Sequence, residues 1–220
     1  MRLYLKLSKN REIVPFNYQP YLTGAIHKWI GSKNDIHDSL SLYSFSWLQN
    51  VNIKNNQGIN LTGDSYFFIS AYNELLIKKI LKGILADPEL CFDSRVHDVQ
   101  VVENPQFSTS EKFFTASPVF IKRRFENKEK HITYNDPKSS EFLTETLQKK
   151  LVAAGLSAEN INVAFDNIYH SAKTKVINYK EIGNRVNICP VIIKGAPEQI
   201  AFAWNVGVGN STGIGFGALK

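Results

Sequence analysis

Within the first hundred residues the apolar positions switch between a period of two and a period near 3.6, and that switching leaves few folds open. Leu3, Leu5 and Leu7 alternate with polar neighbours along residues 2–7, which is strand spacing. Leu22, Ala25, Ile26 and Trp29 then recur at helical spacing over 20–30, and Gly31 supplies a stop. Strands are expected over 42–48 and 66–71. A second helix over 73–85 places Leu76, Ile77, Ile80, Leu81 and Ile84 inward, sets Lys78, Lys79 and Lys82 outward, and ends at Asp87-Pro88. A strand over 96–102 completes the order βαββαβ, which can close as a unit by itself.

A polar stretch over 103–112 then separates a second unit, so the expected domains are residues 1–106 and 113–220. The run Ala116-Ser117-Pro118-Val119-Phe120-Ile121 reads as its opening strand. Asp136-Pro137 suits an N-cap and first turn, and the helix it starts carries Phe142, Leu143, Leu147 and Leu151 before Gly155. Strands follow over 162–165, 173–177 and 186–193. Residues 200–206 would also pass for a strand, but Ala196-Pro197-Glu198 resembles a helix start, and Ile200, Ala201 and Trp204 share a helical face, so a helix over 197–204 is preferred. The fold class is therefore α+β, with two tandem ferredoxin-like (RRM-like) domains.

Charge says what such a chain would bind. The 220 residues carry a formal +6, with 43% hydrophobic residues and enough apolar surface for a sizeable core. Residues 111–220 hold a surplus of five positive charges and residues 1–110 a surplus of one, so a polyanion would be attracted mostly by the second half. Cys91 and Cys189 stand far apart in apolar settings without metal-ligand spacing, so no metal and no cofactor is expected. The first residues lack the pattern of a signal peptide, and no apolar run is long enough to cross a membrane, which points to a cytoplasmic protein without a membrane partner.

Five of the thirteen glycines fall within residues 207–217, Gly207-Val208-Gly209-Asn210-Ser211-Thr212-Gly213-Ile214-Gly215-Phe216-Gly217. Such density argues against core packing and for a loop whose amides face phosphate oxygens. No Gly-Lys-Ser/Thr is present for a P-loop, and only Ala218, Leu219 and Lys220 follow, so no dinucleotide-binding helix comes after it. The pattern of Gly-hydrophobic-Gly, a spacer and Gly-Phe-Gly resembles the signature of the CRISPR-associated repeat-processing endoribonucleases, the sixth Cas family of repeat-associated RNA-binding proteins. Lys194-Gly195-Ala196-Pro197-Glu198 leading to Trp204-Asn205-Val206-Gly207 is similar to the family's helix entering that loop, and Ser117-Pro118-Val119 to its opening strand.

The resemblance implies a metal-independent endoribonuclease that binds CRISPR repeat RNA and cleaves precursor crRNA through the ribose 2′-hydroxyl, leaving a 2′,3′-cyclic phosphate and a 5′-hydroxyl. Other Cas proteins of an effector complex and a second copy of the chain are further candidate partners. A base, an acid and charge stabilisation are required, and histidine suits the proton transfers. The family places a histidine in or after the first helix, where His27 stands. At about 100° per residue His27 lies about 140° from Leu22, off the apolar face.

His37 competes for the same role, and Lys33 could reach the phosphate; Lys28, Tyr18 and Tyr21 are nearby alternatives. His97, His131 and His170 read as ordinary strand or loop residues. RNA contact falls to Lys28, to the run Lys122-Arg123-Arg124, to Lys173 and Lys175 alternating on one strand, and to Gly207, Gly209, Asn210, Ser211, Thr212, Gly213, Gly215, Phe216 and Gly217 of the loop. The alternative is an RNA-binding subunit without cleavage, which would keep the loop and the basic strands but not need His27.

Overall fold

The computed structural model describes residues 1–31, 40–54, 57–126 and 128–220. The first unit runs β1 (Arg2–Leu7), α1 (Gln19–Ile30), β2 (Tyr43–Phe45), β3 (Gln49–Lys54), β4 (Gly58–Ala71), α2 (Glu74–Ala86) and β5 (Val96–Val102). Its antiparallel sheet has the order β2-β4-β1-β5, with β3 pairing the near half of the long β4. This is the arrangement expected of βαββαβ, with the second strand position shared by β2 and β3. Leu3, Leu5 and Leu7 are fully buried against Leu22, Ile26, Ile77 and Ile80 of the two helices. Asn73 caps α2 by accepting the Leu75 amide at 2.8 Å.

The second unit comprises β6 (Ser110–Phe113), β7 (Lys122–Phe125), β8 (Lys128–His131), α3 (Ser139–Ala153), β9 (Asn162–Phe165), β10 (Lys173–Tyr179), β11 (Ile182–Ile188), β12 (Val191–Lys194) and α4 (Pro197–Val206). The central sheet has the order β6-β12-β9. The fourth strand position is filled by the last residues: Phe114 and Lys220 exchange both backbone hydrogen bonds, at 3.0 and 2.8 Å, and Thr115 bridges Leu219. β7-β8 and β10-β11 are added hairpins.

Three expectations change and one holds. Residues 116–121 are no strand: the unit opens with β6, inside the stretch read as a linker. The backbone of 116–121 is buried and bends at Ala116-Ser117, and its carbonyls serve the glycine segment, β11, Trp47 and Ile132 instead of one neighbouring strand. The strand expected over 186–193 breaks at Cys189-Pro190 into β11 and β12, because proline has no amide to continue a ladder. Asp136 does not cap α3; its carboxylate accepts the Lys138 amide at 3.0 Å one turn earlier, and Lys138 occupies the cap. Residues 197–206 are helical, as preferred, with Ile200, Ala203 and Trp204 buried.

The two units share a seam. Arg2 of β1 is buried, with its guanidinium carbon 3.8 Å from the Phe68 ring centre and 3.5 Å from that of Trp204. It donates to Ser70 in its own unit and to the carbonyls of Trp204 and Leu219 in the other. No helix among the described residues is long and apolar enough to cross a membrane.

Candidate RNA-processing site at the seam

The glycine segment links α4 to the fourth-strand position of the second unit, and it lies against the first unit. Contrary to its reading as an open phosphate cradle, it is mostly core. Gly207, Val208, Gly209, Thr212, Gly213, Gly215, Phe216 and Gly217 are buried, while Asn210, Ser211 and Ile214 are partly exposed. Density of glycine here answers close backbone packing. At Gly217, with φ of +67°, an added Cβ would collide with the Val208 carbonyl, and at Gly209, with φ of +76°, it would collide with the Phe120 carbonyl. The amides of Val208, Asn210 and Gly217 are spent on the carbonyls of Gly217, Phe120 and Pro118. Of the segment, Asn210, Ser211 and Ile214 are what reaches the surface.

Three side chains of the first unit hold it. Tyr43 of β2 donates to the Gly213 carbonyl at 3.0 Å, Trp47 Nε1 to the Gly215 carbonyl at 2.7 Å, and Gln19 Nε2 to the Ile214 carbonyl. His27, half-buried in α1, places Nε2 at 3.4 Å from the same Tyr43 hydroxyl. The Tyr43 proton is used on Gly213, so toward His27 the hydroxyl is an acceptor, which favours the Nε2–H tautomer. Burial pushes the Tyr43 phenol well above its ordinary value, so it stays protonated. Gly31 ends α1 by donating its amide to the carbonyls of His27 and Lys28. Lys33 and His37 lie outside the described residues.

From its own unit the segment is held by a residue the sequence reading missed. Lys150 of α3 is 2% exposed, and its ammonium donates to the carbonyls of Val206 at 3.1 Å and Gly207 at 3.4 Å and to Thr212 Oγ1 at 2.9 Å. It thus caps the end of α4 and ties both arms of the segment together. Desolvation alone lowers its pKa to about 7. The signal was available: seven residues after Leu143 and three after Leu147, Lys150 is a charge on the apolar face of its helix.

The basic residues divide. Arg123 is committed internally: its guanidinium donates to the Phe142 carbonyl, to Thr146 Oγ1 at 3.0 Å and to Asn210 Oδ1 at 3.4 Å, and lies over the Phe142 ring. Lys122 pairs with Glu129 at 3.2 Å. Lys28 is tied to Asp87 at 2.8 Å and to the Glu89 carbonyl at 2.7 Å, holding α1 to the end of α2. Arg124, Lys173 and Lys175 are exposed, the two lysines on alternate positions of β10.

Residues 102–220 match the family model for the C-terminal part of CRISPR-associated protein Cas6, and residues 13–104 match the model for the N-terminal part of Cas6 of subtype I-A. A CRISPR-associated endoribonuclease Cas6 of Methanocaldococcus jannaschii is 28% identical, over all of this chain and 92% of the relative. The one from Pyrococcus furiosus is 23% identical, over all of the chain and 89% of its own length. A solved structure of a Cas6-related protein from Pyrococcus furiosus superposes with a TM-score of 0.87 at 22% identity, over all of this chain and 97% of that one. That likeness supports two ferredoxin-like domains in the arrangement described.

Proposed function

The chain belongs to the CRISPR-associated Cas6 family, whose C-terminal model alone spans more than half of it, and from that premise we propose that it is an endoribonuclease that cuts CRISPR repeat RNA with His27 moving a proton. The observation that carries the residue assignment is the meeting of a half-buried histidine on the first unit with the glycine segment of the second, through one tyrosine. The relatives are named as CRISPR-associated endoribonucleases, and repeat RNA is the substrate that the resemblance of the glycine segment implies.

In the reaction the ribose 2′-oxygen attacks the adjacent phosphorus while its proton passes to a base. The bond from phosphorus to the 5′-oxygen breaks, and that oxygen takes a proton. One product ends in a 2′,3′-cyclic phosphate and the other begins with a 5′-hydroxyl, with no water consumed and no metal required. His27 fills the base or the acid role beside the scissile phosphate. Lys173, Lys175 and Arg124 supply exposed cations for the flanking phosphates, and Asn210 and Ser211 present polar groups at the surface of the segment.

Incubation with end-labelled repeat RNA in EDTA tests this reading. Wild type is expected to give the cyclic-phosphate product, and His27→Ala to slow cleavage by about a hundredfold or more, the usual scale for a lost proton-transfer group, with RNA affinity retained. Undiminished cleavage by His27→Ala, together with loss in His37→Ala, would move the role to His37. Binding without cleavage by the wild type would make the chain an RNA-binding subunit.

A further inference from the structure

We propose that a cleft between the two units, beside the start of α1, is a subsite for one unpaired nucleobase of the RNA, and that Gln19 reads an exocyclic amino group of that base. The inference rests on the reading of the chain as an enzyme that binds repeat RNA.

The cleft measures about 210 Å³ and is bounded by Phe16, Gln19 and Trp47 of the first unit and by Lys175, Ile177 and Asn178 of β10. Pockets for drug-sized ligands run to roughly 300–1,000 Å³, so this one suits something smaller, such as a single base. Its walls have the character of a base site. Trp47 is fixed by its hydrogen bond to the Gly215 carbonyl, and Phe16 is 53% exposed, a large apolar ring with little covering it. Aromatic faces stack any base, while the opposite wall brings an ammonium and an amide that can meet phosphate and base edge.

Gln19 supplies a polarity. Its Nε2 donates to the Ile214 carbonyl, and a swapped amide would set oxygen against oxygen, so the orientation is determined. The remaining oxygen, Oε1, is the buried side-chain polar atom left without a partner among the described residues. Buried acceptors are normally paired, and this one belongs to a residue that lines the cleft, so a base seated there supplies the missing donor once the Gln19 side chain turns toward it. Adenine, cytosine and guanine carry an amino donor; uracil has none. Because Gln19 also holds the segment next to Tyr43 and His27, an occupied cleft would register the RNA on the site that cuts it.

The test is a scan of repeat RNA in which each unpaired base is replaced in turn by an abasic ribose, followed at any sensitive position by an analogue lacking the amino group. One position is expected to lose about tenfold in affinity when abasic, the scale of a lost base–aromatic stack. Much of that loss should recur with the amino-deficient analogue. In Phe16→Ala, an exposed position that leaves the core intact, the same abasic change should cost less than about twofold by the same reasoning. Gln19→Met should abolish the amino preference, and Lys175→Ala should weaken binding at that site without doing so. A flat abasic scan with cleavage intact overturns the subsite and leaves the enzyme reading standing. So does an abasic effect that persists in Phe16→Ala, and an absent amino preference overturns the role of Gln19. Failure of the wild type to bind or cut repeat RNA overturns both readings.

Discussion

The glycine segment is gripped from two directions, and the grips differ in kind. On the side of the first unit, Gln19, Tyr43 and Trp47 are neutral donors to successive carbonyls. On the side of its own unit, the supports are cations: the Lys150 ammonium, and Arg123 acting through Asn210. Both sets satisfy buried backbone, but they respond to conditions differently. Neutral donors are indifferent to pH and salt over the ordinary range. Among the described residues the buried Lys150 ammonium meets carbonyls and a hydroxyl and no counter-ion, so it pays desolvation, and while it is protonated it leaves positive charge behind the face that RNA phosphates would approach.

Replacing Lys150 by Met attacks this contrast most directly. Three donated hydrogen bonds disappear while a desolvation penalty is relieved, so folding should survive. RNA affinity should fall by about tenfold, equivalent to about 1.4 kcal/mol. The pH signature is specific. The folded protein releases the Lys150 proton at about 7, against an ordinary lysine value of 10.5, so between those values the unfolded chain binds more protons. Stability should therefore rise as pH climbs from about 7 toward 10. Melting temperatures of the two proteins compared at each pH should show this rise in the wild type and lack it in Lys150→Met; parallel curves would break the assignment.

Arg123→Ala should cost about 1.5–3 kcal/mol of stability, the range for hydrogen bonds to a charged group, read from denaturant midpoints. The slope of RNA affinity against salt separates its roles. A strut leaves that slope unchanged, whereas a phosphate contact would reduce it by about one. The smallest effect belongs to the neutral grip: Trp47→Phe keeps the ring and removes one donor to Gly215, for about 1 kcal/mol, with no dependence on pH in melting curves.

Much of the fold was legible locally. β1, α1, α2, β5, α3 and α4 announced themselves by period and by their boundary residues, and the strand order follows from βαββαβ connectivity. What escaped was whatever depends on partners distant in sequence. The run 116–121 has strand-like residues, yet its hydrogen bonds are divided among the glycine segment about a hundred residues later, Asn187 of β11, Trp47 and Ile132. Lys122-Arg123-Arg124 looks uniform as a sequence, but β7 turns Arg123 toward α3 and leaves Arg124 exposed. Of the candidate site, His27 was legible as a histidine off an apolar face, whereas Gln19, Tyr43 and Trp47 carried no sign that they would meet residues 213–215.

The sequence alone determined that glycine is required over 207–217 and that this segment identifies the family, since few residue choices are compatible with so many close approaches of backbone. Only the tertiary structure decided what the glycines are for. Their spacing is the same in an exposed phosphate cradle and in a buried seam, and the difference lies in the carbonyls of Phe120 and Pro118, the ammonium of Lys150 and the ring of Tyr43 packed around them. Those neighbours arrive by folding from positions far along the chain, and short-range pattern does not encode them.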